Sequence, residues 1–381
     1  MNAPAERAGL YVHLPYCASR CGYCAFVVTT DDSSRTEYLA ALAAEARLLA
    51  EEASGAEFDS IYLGGGTPSL LPPGAVASLL SDLRRRFPVV AADAEVTLEA
   101  NPEDVTLAAV GAWEAAGVNR VSLGVQSLQD AELSAVGRRH DAARAREALE
   151  TLGKSGLSIS GDLILGLPFQ TPESFRASLA GLCDSGVSHV SVYLLEADKT
   201  RALQEDRRLH PERYASDDAQ ADAWLAMGES LAARGFGHYE ISNWARPGRR
   251  ARHNVKYWTR APTLGLGVSA HELWGGRRRA NVATLERYIG ELREGRRPLA
   301  EDRPIDEAEA GRERVFLGLR LSDGVPESRV RSLLAEASDD PALPDDYESW
   351  VAEGLLERTD GRVRFTERGF LVSNEVLARF V

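Results

Sequence analysis

Short apolar runs alternate with longer amphipathic stretches along roughly the first 270 residues of the chain. The runs are rich in Val, Ile and Leu, as buried strands are, and the stretches between them repeat apolar residues at helical spacing. This alternation predicts βαβ units around a parallel sheet. The predicted strands are GLYVHL, FDSIYLG, AEVTLEA, VNRVSLGV, LSISGDLIL and VSHVSVYLL, with helices predicted at residues 34–53, 74–87, 141–155 and 172–185.

Six such units predict an α/β protein built on a partial (β/α)6 TIM-type barrel. Right-handed crossovers bring the carboxyl ends of all six strands to one face, where barrel-like folds build their sites. We expect this barrel to occupy residues 1–240 and a linking segment to occupy residues 241–300. From about residue 271 the composition favours Arg- and Glu-rich helices, which lead into a smaller carboxyl-terminal region at residues 301–381.

The carboxyl-terminal region has the pattern of a small winged-helix-like module. Its segment GLLERTDGRVRF predicts a strand hairpin that turns at Asp360-Gly361 and leads into a final helix. Winged-helix modules often bind DNA, but residues 301–381 hold 11 Lys and Arg against 19 Asp and Glu. Because nucleic-acid binding relies on basic surfaces, we expect a packing or lid role and no nucleic-acid partner.

The overall composition is that of an ordinary globular protein. The chain has 381 residues, 44% of them hydrophobic, and a net charge of −13. No apolar run is long enough to span a bilayer, and the amino terminus lacks an apolar signal region. Three of the four cysteines are clustered and the fourth, Cys183, lies in a predicted helix, which is unlike a secreted disulfide framework. We expect a soluble cytoplasmic protein with reduced thiols.

The clustered cysteines are Cys17, Cys21 and Cys24, in the pattern CxxxCxxC directly after the first predicted strand. Three thiolates can hold a cubane 4Fe-4S cluster and leave one iron open to an exogenous ligand. Zinc also binds thiolates at such spacing, but a structural zinc site needs a fourth ligand. His13 could supply it, although the chain has no second CxxC unit. Spacing favours iron–sulfur over zinc and leaves both open.

Residues suited to binding a small zwitterion follow the later strands. The segment Gly64-Gly65-Gly66-Thr67-Pro68 offers backbone donors and acceptors with few Cβ atoms in the way. Carboxylates suit ammonium groups and ribose hydroxyls, and arginine suits a carboxylate. Singly, each such residue is more often a cap or a surface group, but their recurrence on successive units favours a site. These residues are Glu99, Gln126, Arg138 and Asp162.

The cysteine pattern after one strand and GGGTP after the next resemble the radical S-adenosylmethionine (SAM) superfamily. Within it the chain is most similar to the heme chaperone HemW family, relatives of the oxygen-independent coproporphyrinogen III oxidase. The resemblance runs nearly end to end, through YVHLPYC, YLGGGTPSLL, TLEANPEDV, RVSLGVQSL, GDLILGLPFQTPESF, YEISNWARPG, RHNVKYW and GLGVSAH.

The resemblance implies a 4Fe-4S cluster on the three cysteines, whose open iron chelates SAM, and an electron donor for the cluster. In that superfamily one electron from the cluster splits SAM into methionine and a 5′-deoxyadenosyl radical; whether this chain cleaves SAM is left open. The resemblance also implies that residues 265–271 form a further wall of the SAM site. The SAM-binding residues implied are Tyr11, Tyr23, Gly65, Gly66, Thr67, Glu99, Gln126, Arg138, Asp162 and Glu196.

The family further implies binding of heme and its transfer to a recipient protein, such as a membrane-bound respiratory enzyme, with a homodimer as one possible state. The alternative is the oxygen-independent coproporphyrinogen III oxidase itself. The oxidase resembles CxxxCxxCxC and carries a long amino-terminal extension. Here Ala25-Phe26 follow Cys24, and sixteen residues precede Cys17. Both departures favour the heme-handling branch.

A heme site is predicted in residues 244–260, which hold five arginines, one lysine and no acidic residue. A solvated basic loop is the alternative, and a histidine beside aromatic residues is commonly structural. Heme needs an axial donor, flat walls and cations for its two propionates. His253 is predicted as the axial ligand. The predicted walls are Trp244, Tyr257 and Trp258, and the predicted propionate partners are Arg249, Arg250 and Arg252.

Overall fold

The computed structural model describes residues 7–87, 90–196, 199–336 and 342–380. The six predicted strands form and pair in parallel in chain order. Their alternating apolar residues face the surrounding helices and make one large core. The strands are β1 (Ala8–Leu14), β2 (Phe58–Gly65), β3 (Val90–Ala100), β4 (Arg120–Gln126), β5 (Ser158–Leu165) and β6 (His189–Leu194).

Helices connect these strands and cover the outside of the sheet. Their starts follow from local sequence: the last helix of this set begins with Pro172, and a reciprocal capping box joins Thr171 to Ser174. The four predicted helices are confirmed, and Cys183 is buried in the core as expected for a small apolar residue. The helices are α1 (Arg35–Glu52), α2 (Pro73–Arg86), α3 (Leu107–Ala115), α4 (Asp130–Ala135), α5 (Ala142–Leu152) and α6 (Pro172–Asp184).

The inner face of the barrel is polar. Along β4, Val121 and Leu123 pack into the core, whereas the alternate residue Ser122 bonds across to Asp162 of β5. The same alternation applies to β2, whose Ser60 and Tyr62 carry hydrogen-bonding groups toward other inner residues. The barrel therefore encloses titratable groups along its length.

The sheet continues beyond β6, through the range predicted as a linking segment. β9 pairs in parallel with β1, and β8 pairs antiparallel with β6. In the described residues β7 and β12 form the two outer edges of the sheet, so the barrel is open, which confirms the partial TIM-type architecture. The elements are α7 (Arg201–Leu209), α8 (Asp217–Ala233), β7 (Gly237–Glu240), β8 (Asn243–Ala245), α9 (Arg252–Thr259), β9 (Thr263–Leu266), β10 (His271–Trp274), β11 (Arg277–Asn281), α10 (Leu285–Arg293) and β12 (Leu299–Pro304).

The expectation of helices from residue 271 onward was wrong for β10, β11 and β12. These strands are short and charged, so they lack the apolar run that marks a buried strand. Cross-strand ion pairs hold them together instead: Arg277 and Arg279 of β11 both reach Asp302 of β12. Of the predicted helical stretch only α10 forms before residue 305.

Helix α9 packs against the amino ends of β1 and β2 and covers the base of the barrel. The approach is close because β1 carries Gly9 at this point. A Cβ atom on Gly9 would lie 2.9 Å from the Lys256 side chain and 3.0 Å from the His253 ring. The base of the barrel is thus opposite the face where the strands end.

The carboxyl-terminal region has its own small sheet and its own core, as the winged-helix-like prediction expects. Its hairpin turns at Asp360 and Gly361, whose φ angles of 53° and 72° are those of a two-residue turn. A β-bridge from Glu240 to Leu321 joins it to the barrel. Its elements are α11 (Glu307–Phe316), β13 (Val325–Pro326), α12 (Glu327–Glu336), α13 (Leu343–Ala352), β14 (Leu356–Thr359), β15 (Arg362–Phe365), α14 (Glu367–Leu371) and α15 (Ser373–Leu377).

Among the described helices, none combines the length and the apolar character that crossing a membrane requires.

A cysteine-lined cavity at the carboxyl ends of the strands

A cavity of about 560 Å³ opens at the face where the barrel strands end. All three clustered cysteines line it, together with residues that follow each of the first six strands. The structure brings nearly all of the predicted SAM-binding residues to this one place. Those that line the cavity are Tyr23, Gly65, Gly66, Thr67, Glu99, Gln126, Arg138, Asp162 and Glu196.

The cysteine loop is tied to the barrel by hydrogen bonds around its sulfur atoms. The Thr67 hydroxyl donates to Cys17 Sγ at 3.4 Å, and Arg138 Nη1 donates to Cys21 Sγ at 3.6 Å. Burial raises the pKa of the Cys17 and Cys24 thiols. Within the described ranges, no three His, Cys, Asp or Glu side chains are grouped closely enough to hold a single metal ion. Three thiols with N–H and O–H donors aimed at them are a donor set that fits an iron–sulfur cluster.

The glycine turn after β2 fits closely under the cysteine loop. Gly65 has a φ of 108°, and a Cβ atom there would lie 2.5 Å from the His13 ring. A Cβ atom on Gly66 would lie 2.6 Å from the Pro15 carbonyl carbon. The backbone N–H of Gly66 donates to Leu14, which fixes the turn against the chain that leads to Cys17. Only glycine allows this approach, so the turn sets the height of the cysteine loop above the barrel.

Two carboxyl groups form the floor of the cavity. Glu99 accepts hydrogen bonds from the Tyr62 hydroxyl at 2.6 Å and from the Gly65 backbone N–H at 3.0 Å. Burial raises the pKa of Glu99 to about 7. Asp162 accepts from Ser122 at 3.0 Å, and burial raises its pKa as well. Both groups can therefore change protonation when a cationic or hydroxyl-bearing ligand arrives.

Arg138 is held in place from several sides. Its Nη2 atom donates to Asn101 Oδ1 at 2.6 Å and to the Gly124 carbonyl at 2.8 Å. Its Nη1 atom also lies 3.3 Å from the Tyr23 hydroxyl. Asn101 in turn donates to Thr67 at 3.2 Å, so one chain of hydrogen bonds runs from Arg138 to the Cys17 sulfur. Such a fixed guanidinium suits the carboxylate of a ligand.

Two further predicted residues lie at the strand ends with different surroundings. Gln126 has a φ of 64°, a left-handed conformation that costs free energy outside glycine and is found at functional sites. It directs the chain from β4 into the loop that carries Arg138. Glu196 lies at the cavity rim, where it forms a 2.5 Å ion pair with Lys199, and both side chains are more than half exposed.

Tyr11 and residues 265–271 do not line the cavity. Tyr11 lies deeper in the barrel, where its hydroxyl bonds to His13 at 3.0 Å and its ring stacks on Tyr62 with centroids 6.1 Å apart. It is connected to cavity-lining residues through Tyr62, which bonds to Glu99, and through His13, which packs against Gly65. Residues 265–271 pack beside β1, where the Gly267 backbone N–H donates to buried Glu45. Their place in the structure is in the wall of the barrel.

The structure places His253 at the opposite end of the barrel from the cysteines. Its ring is fully buried. Nδ1 lies 2.9 Å from the Ser60 hydroxyl and Nε2 lies 2.9 Å from the Tyr257 hydroxyl. Burial lowers the pKa of His253 to about 3, so the ring is neutral. Axial ligation of heme iron by His253 stays a prediction, and it requires one of these two contacts to break.

The other residues of the predicted heme set do not converge on His253. The Trp244 ring is buried against His238, with centroids 4.2 Å apart. The Trp258 ring lies under Arg320 of the carboxyl-terminal region. Of the predicted aromatic walls, only Tyr257 contacts the His253 ring. The three predicted propionate partners, Arg249, Arg250 and Arg252, line a different cleft.

Sequence reasoning missed three residues that the structure places in the cavity wall: Asn101, Tyr193 and Phe26. Asn101 and Tyr193 both lie at or next to the carboxyl end of a predicted strand, which is the signal that could have identified them. Phe26 follows the last clustered cysteine and is 66% exposed. Its position beside the cavity depends on the path of the loop, which the sequence pattern does not reveal.

Comparisons with known proteins agree with this geometry. Residues 11–180 match the Radical SAM superfamily, and residues 305–372 match the HemN C-terminal domain. The chain is 35% identical to the heme chaperone HemW of Mycobacterium tuberculosis, over 98% of this chain and 95% of that protein. It is 30% identical to the heme chaperone HemW of Bacillus subtilis, over 97% of this chain and 98% of that protein.

Among solved structures, the fold resembles coproporphyrinogen III oxidase (HemN) from Escherichia coli. The TM-score is 0.84, and the match covers 99% of this chain and 91% of that chain. The sequence identity is 24%, so this likeness establishes the fold. It confirms the expected α/β fold, a partial TIM-type barrel with a smaller carboxyl-terminal region, over 99% of the chain.

Proposed function

Because the chain belongs to the heme chaperone HemW family of the radical SAM superfamily, we propose that it binds a 4Fe-4S cluster, SAM and heme, and transfers heme to a recipient protein. The proposal rests on one combined observation. The chain is 35% identical to a heme chaperone HemW over 98% of its length, and all three cysteines line one cavity. By the same proposal the protein acts in the cytoplasm with an electron donor, and a respiratory enzyme is one recipient.

The chain's own residues would bind and orient the two ligands of the cavity. Cys17, Cys21 and Cys24 would hold three irons of the cluster. Arg138, fixed by Asn101, would bind the carboxylate of SAM, and ionised Glu99 would accept its ammonium or ribose groups. When bound, the cluster supplies one-electron reduction of a sulfonium ligand.

Anaerobic reconstitution tests the cavity. We expect the reconstituted protein to be brown and to give a paramagnetic signal on reduction that changes when SAM is added. Arg138→Ala should keep the cluster and abolish the change, whereas Arg176→Ala, on the exposed outer helix α6, should behave as wild type. A colourless protein with stoichiometric zinc, or a signal that ignores SAM, would contradict the proposal.

Hemin titration tests the heme-binding part. We expect a Soret band at stoichiometric hemin. If His253 is the axial ligand, His253→Ala shifts the band and weakens binding, and in wild type either the Ser60 or the Tyr257 contact must open first. If the band and affinity are unchanged, His253 has the structural role that its two hydrogen bonds describe. Absence of any hemin binding by the wild-type protein would refute the heme-binding function.

Oxidative decarboxylation of coproporphyrinogen III is the second candidate, favoured by the fold likeness to the oxidase. The exposed Phe26 stands where the oxidase pattern places a fourth cysteine. An anaerobic assay with reductant, SAM and coproporphyrinogen III separates the two candidates. We expect no vinyl product; stoichiometric product would reverse the order.

A further inference from the structure

The base of the barrel carries a second cleft, separate from the cysteine-lined cavity. Its volume is about 1050 Å³, and no residue that lines it also lines the cavity. It lies between the amino ends of the strands, the loop at residues 246–250 and one side of α9. Seven of its lining residues are Arg or Lys and three are Asp or Glu, although the whole protein is acidic.

The acidic groups around this base cleft already form hydrogen bonds or ion pairs within the protein. Glu95 accepts hydrogen bonds from the backbone N–H groups of Arg252 and His253, at 2.9 and 3.0 Å, and so caps the start of α9. The remaining carboxylates form ion pairs with neighbouring cations. These pairs are Lys256–Asp59 at 2.7 Å, Arg252–Asp93 at 3.3 Å and Arg250–Asp323 at 2.6 Å.

Three arginines of the cleft remain without a carboxylate partner among the described residues. Arg249 is exposed in the loop. Arg246 lies over the Phe236 ring and donates to the Arg234 carbonyl at 3.3 Å. Arg120, at the start of β4, is only 4% exposed.

Arg120 is the informative one of the three. Its Nε atom is buried and has no hydrogen-bond partner, and its guanidinium forms no ion pair within the described ranges. Burial lowers the pKa of Arg120, but the longer-range attraction of carboxylates such as Glu95 and Asp162 outweighs it, so the pKa is raised although none of these groups bonds to the guanidinium. Removing a cation from water costs several kcal/mol unless a partner compensates. A fold that keeps such a cation at the floor of an open, basic cleft is arranged to receive an anion there.

We propose that the base cleft binds a carboxylate-bearing ligand, with Arg120 as its anchoring cation and Arg246 and Arg249 nearer the opening. The planar guanidinium fork of arginine matches the two oxygens of a carboxylate. Two sources carry this chemistry: the propionates of heme, or a free di- or tricarboxylate. The first source rests on the proposed heme-binding function, and the second does not.

The position of the cleft has a consequence for its ligand. Arg120 begins β4 and Gln126 ends it, so the two sites are about 20 Å apart along the strand. A ligand held at Arg120 therefore does not contact SAM or the cluster. The two sites are linked only through longer-range charge interactions of Arg120 with Glu99 and Asp162, so we expect cluster removal to have little effect on binding at the base.

The experiment compares wild type, Arg120→Gln and the matched control Arg7→Gln, which removes a charge of the same cleft that is already paired with Glu57 at 2.9 Å. Binding of hemin, hemin dimethyl ester and citrate is measured in protein with and without the cluster. If heme is the source, Arg120→Gln weakens hemin binding about tenfold or more, wild type binds the ester equally weakly, and the control and cluster removal have little effect.

If a free carboxylate is the source, citrate raises the melting temperature of wild type and of the control but not of Arg120→Gln, and hemin binding is unchanged by the substitution. Equal binding of hemin and its ester, together with no citrate effect, overturns the proposal. Wild type that binds no hemin refutes the proposed function, while the citrate measurement still decides the cleft.

Melting temperatures test whether Arg120 has a purely structural role instead. Since the side chain forms no hydrogen bond or ion pair among the described residues, Arg120→Met in ligand-free protein should melt close to the wild-type temperature. If citrate then fails to raise the melting temperature of Arg120→Met, the failure reflects lost ligand binding and not a weakened fold. A large loss of stability in both Arg120→Met and Arg120→Gln, with unchanged ligand affinity, would show that the arginine holds the fold together and would refute the proposal.

Discussion

Glu99 is a carboxyl group whose protonation is tuned to neutral pH by burial, since its pKa is raised to about 7. It can accept a cationic group only when ionised. We therefore expect the SAM affinity of the reconstituted protein to fall as pH drops below 7, by up to tenfold per pH unit. Equilibrium dialysis under anaerobic conditions at pH 6 to 8 measures this.

Glu99→Gln is the control for that measurement. It keeps a hydrogen-bond acceptor for Tyr62 and Gly65 but cannot titrate. Subtracting the Glu99→Gln profile from the wild-type profile therefore removes the contribution that titration of the SAM amino group makes to the affinity. Parallel profiles for the two proteins would contradict the role given to Glu99.

His253 predicts a second pH effect, on stability. Its folded pKa of about 3 lies below the usual value of 6.5, because the buried ring cannot hold a charge. Below pH 6.5 the unfolded chain takes up a proton that the folded protein refuses, so wild type loses stability as pH falls, by about 1.4 kcal/mol per unit. We expect the difference in urea unfolding free energy between wild type and His253→Gln to decrease by about 1.4 kcal/mol for each pH unit between pH 6.5 and 5. An advantage that does not change with pH would show that the ring is not buried neutral.

Single residues were predictable where their chemistry depends on strand position. Cys17 follows β1, and Glu99 and Asp162 lie in the carboxyl-terminal halves of β3 and β5, where parallel topology brings such residues together. Arg120 begins a strand and reads in sequence as an ordinary surface charge. Its lack of a partner depends on which acids the neighbouring elements use, and no local pattern contains that information.

At the scale of elements, the glycine turn after β2 controls the cysteine loop. In Gly66→Ala the added Cβ atom would lie 2.6 to 2.8 Å from the backbone of Leu14 and Pro15, which cannot move away as a flexible side chain could. We expect loss of cluster retention and a fall in unfolding free energy of about 1 to 3 kcal/mol. Iron content after anaerobic gel filtration and urea unfolding measure the two effects.

Gly74→Ala is the matched control, because a Cβ atom there meets nothing within 4 Å and the position is helical. It should keep the cluster and the stability of wild type or exceed it. If Gly66→Ala behaved like this control, the turn would not set the position of the cysteine loop.

Strands and helices could be predicted from the sequence where burial requires a run of apolar residues. All six parallel strands and four helices of the barrel formed at the predicted places because both faces of their layers are covered. β11 and β12 were missed because their stability comes from pairs such as Arg277 with Asp302 rather than from apolar burial. A charged edge strand and an exposed helix have nearly the same composition, so only the pairing partner separates them.

Across the whole molecule, the segment around α9 joins the two cores. Its His253 fills the base of the barrel, while Trp258 lies under Arg320 at the edge of the carboxyl-terminal region. The sequence indicated a module boundary near residue 301 and a basic segment before it. It also indicated a linking role for residues 241–300, but not the contacts that join the two cores, because those contacts are between residues distant in sequence.

One contact between the two bodies is the buried carboxylate of Glu313. This α11 residue is 3% exposed and forms ion pairs with Arg260, which follows α9, and with Arg278 of β11. Glu313→Gln would leave Arg260 buried without a carboxylate, and breaking a buried pair in this way costs about 3 kcal/mol or more. We expect a loss of that size in the urea unfolding free energy, with normal cluster content, because the pair is remote from the cysteine-lined cavity. Glu307→Gln is the control on the same helix: its side chain is 83% exposed, so losing its pair with Arg314 should leave the unfolding free energy almost unchanged. Equal losses in the two variants would show that the carboxyl-terminal region docks through its apolar contacts and not through this carboxylate.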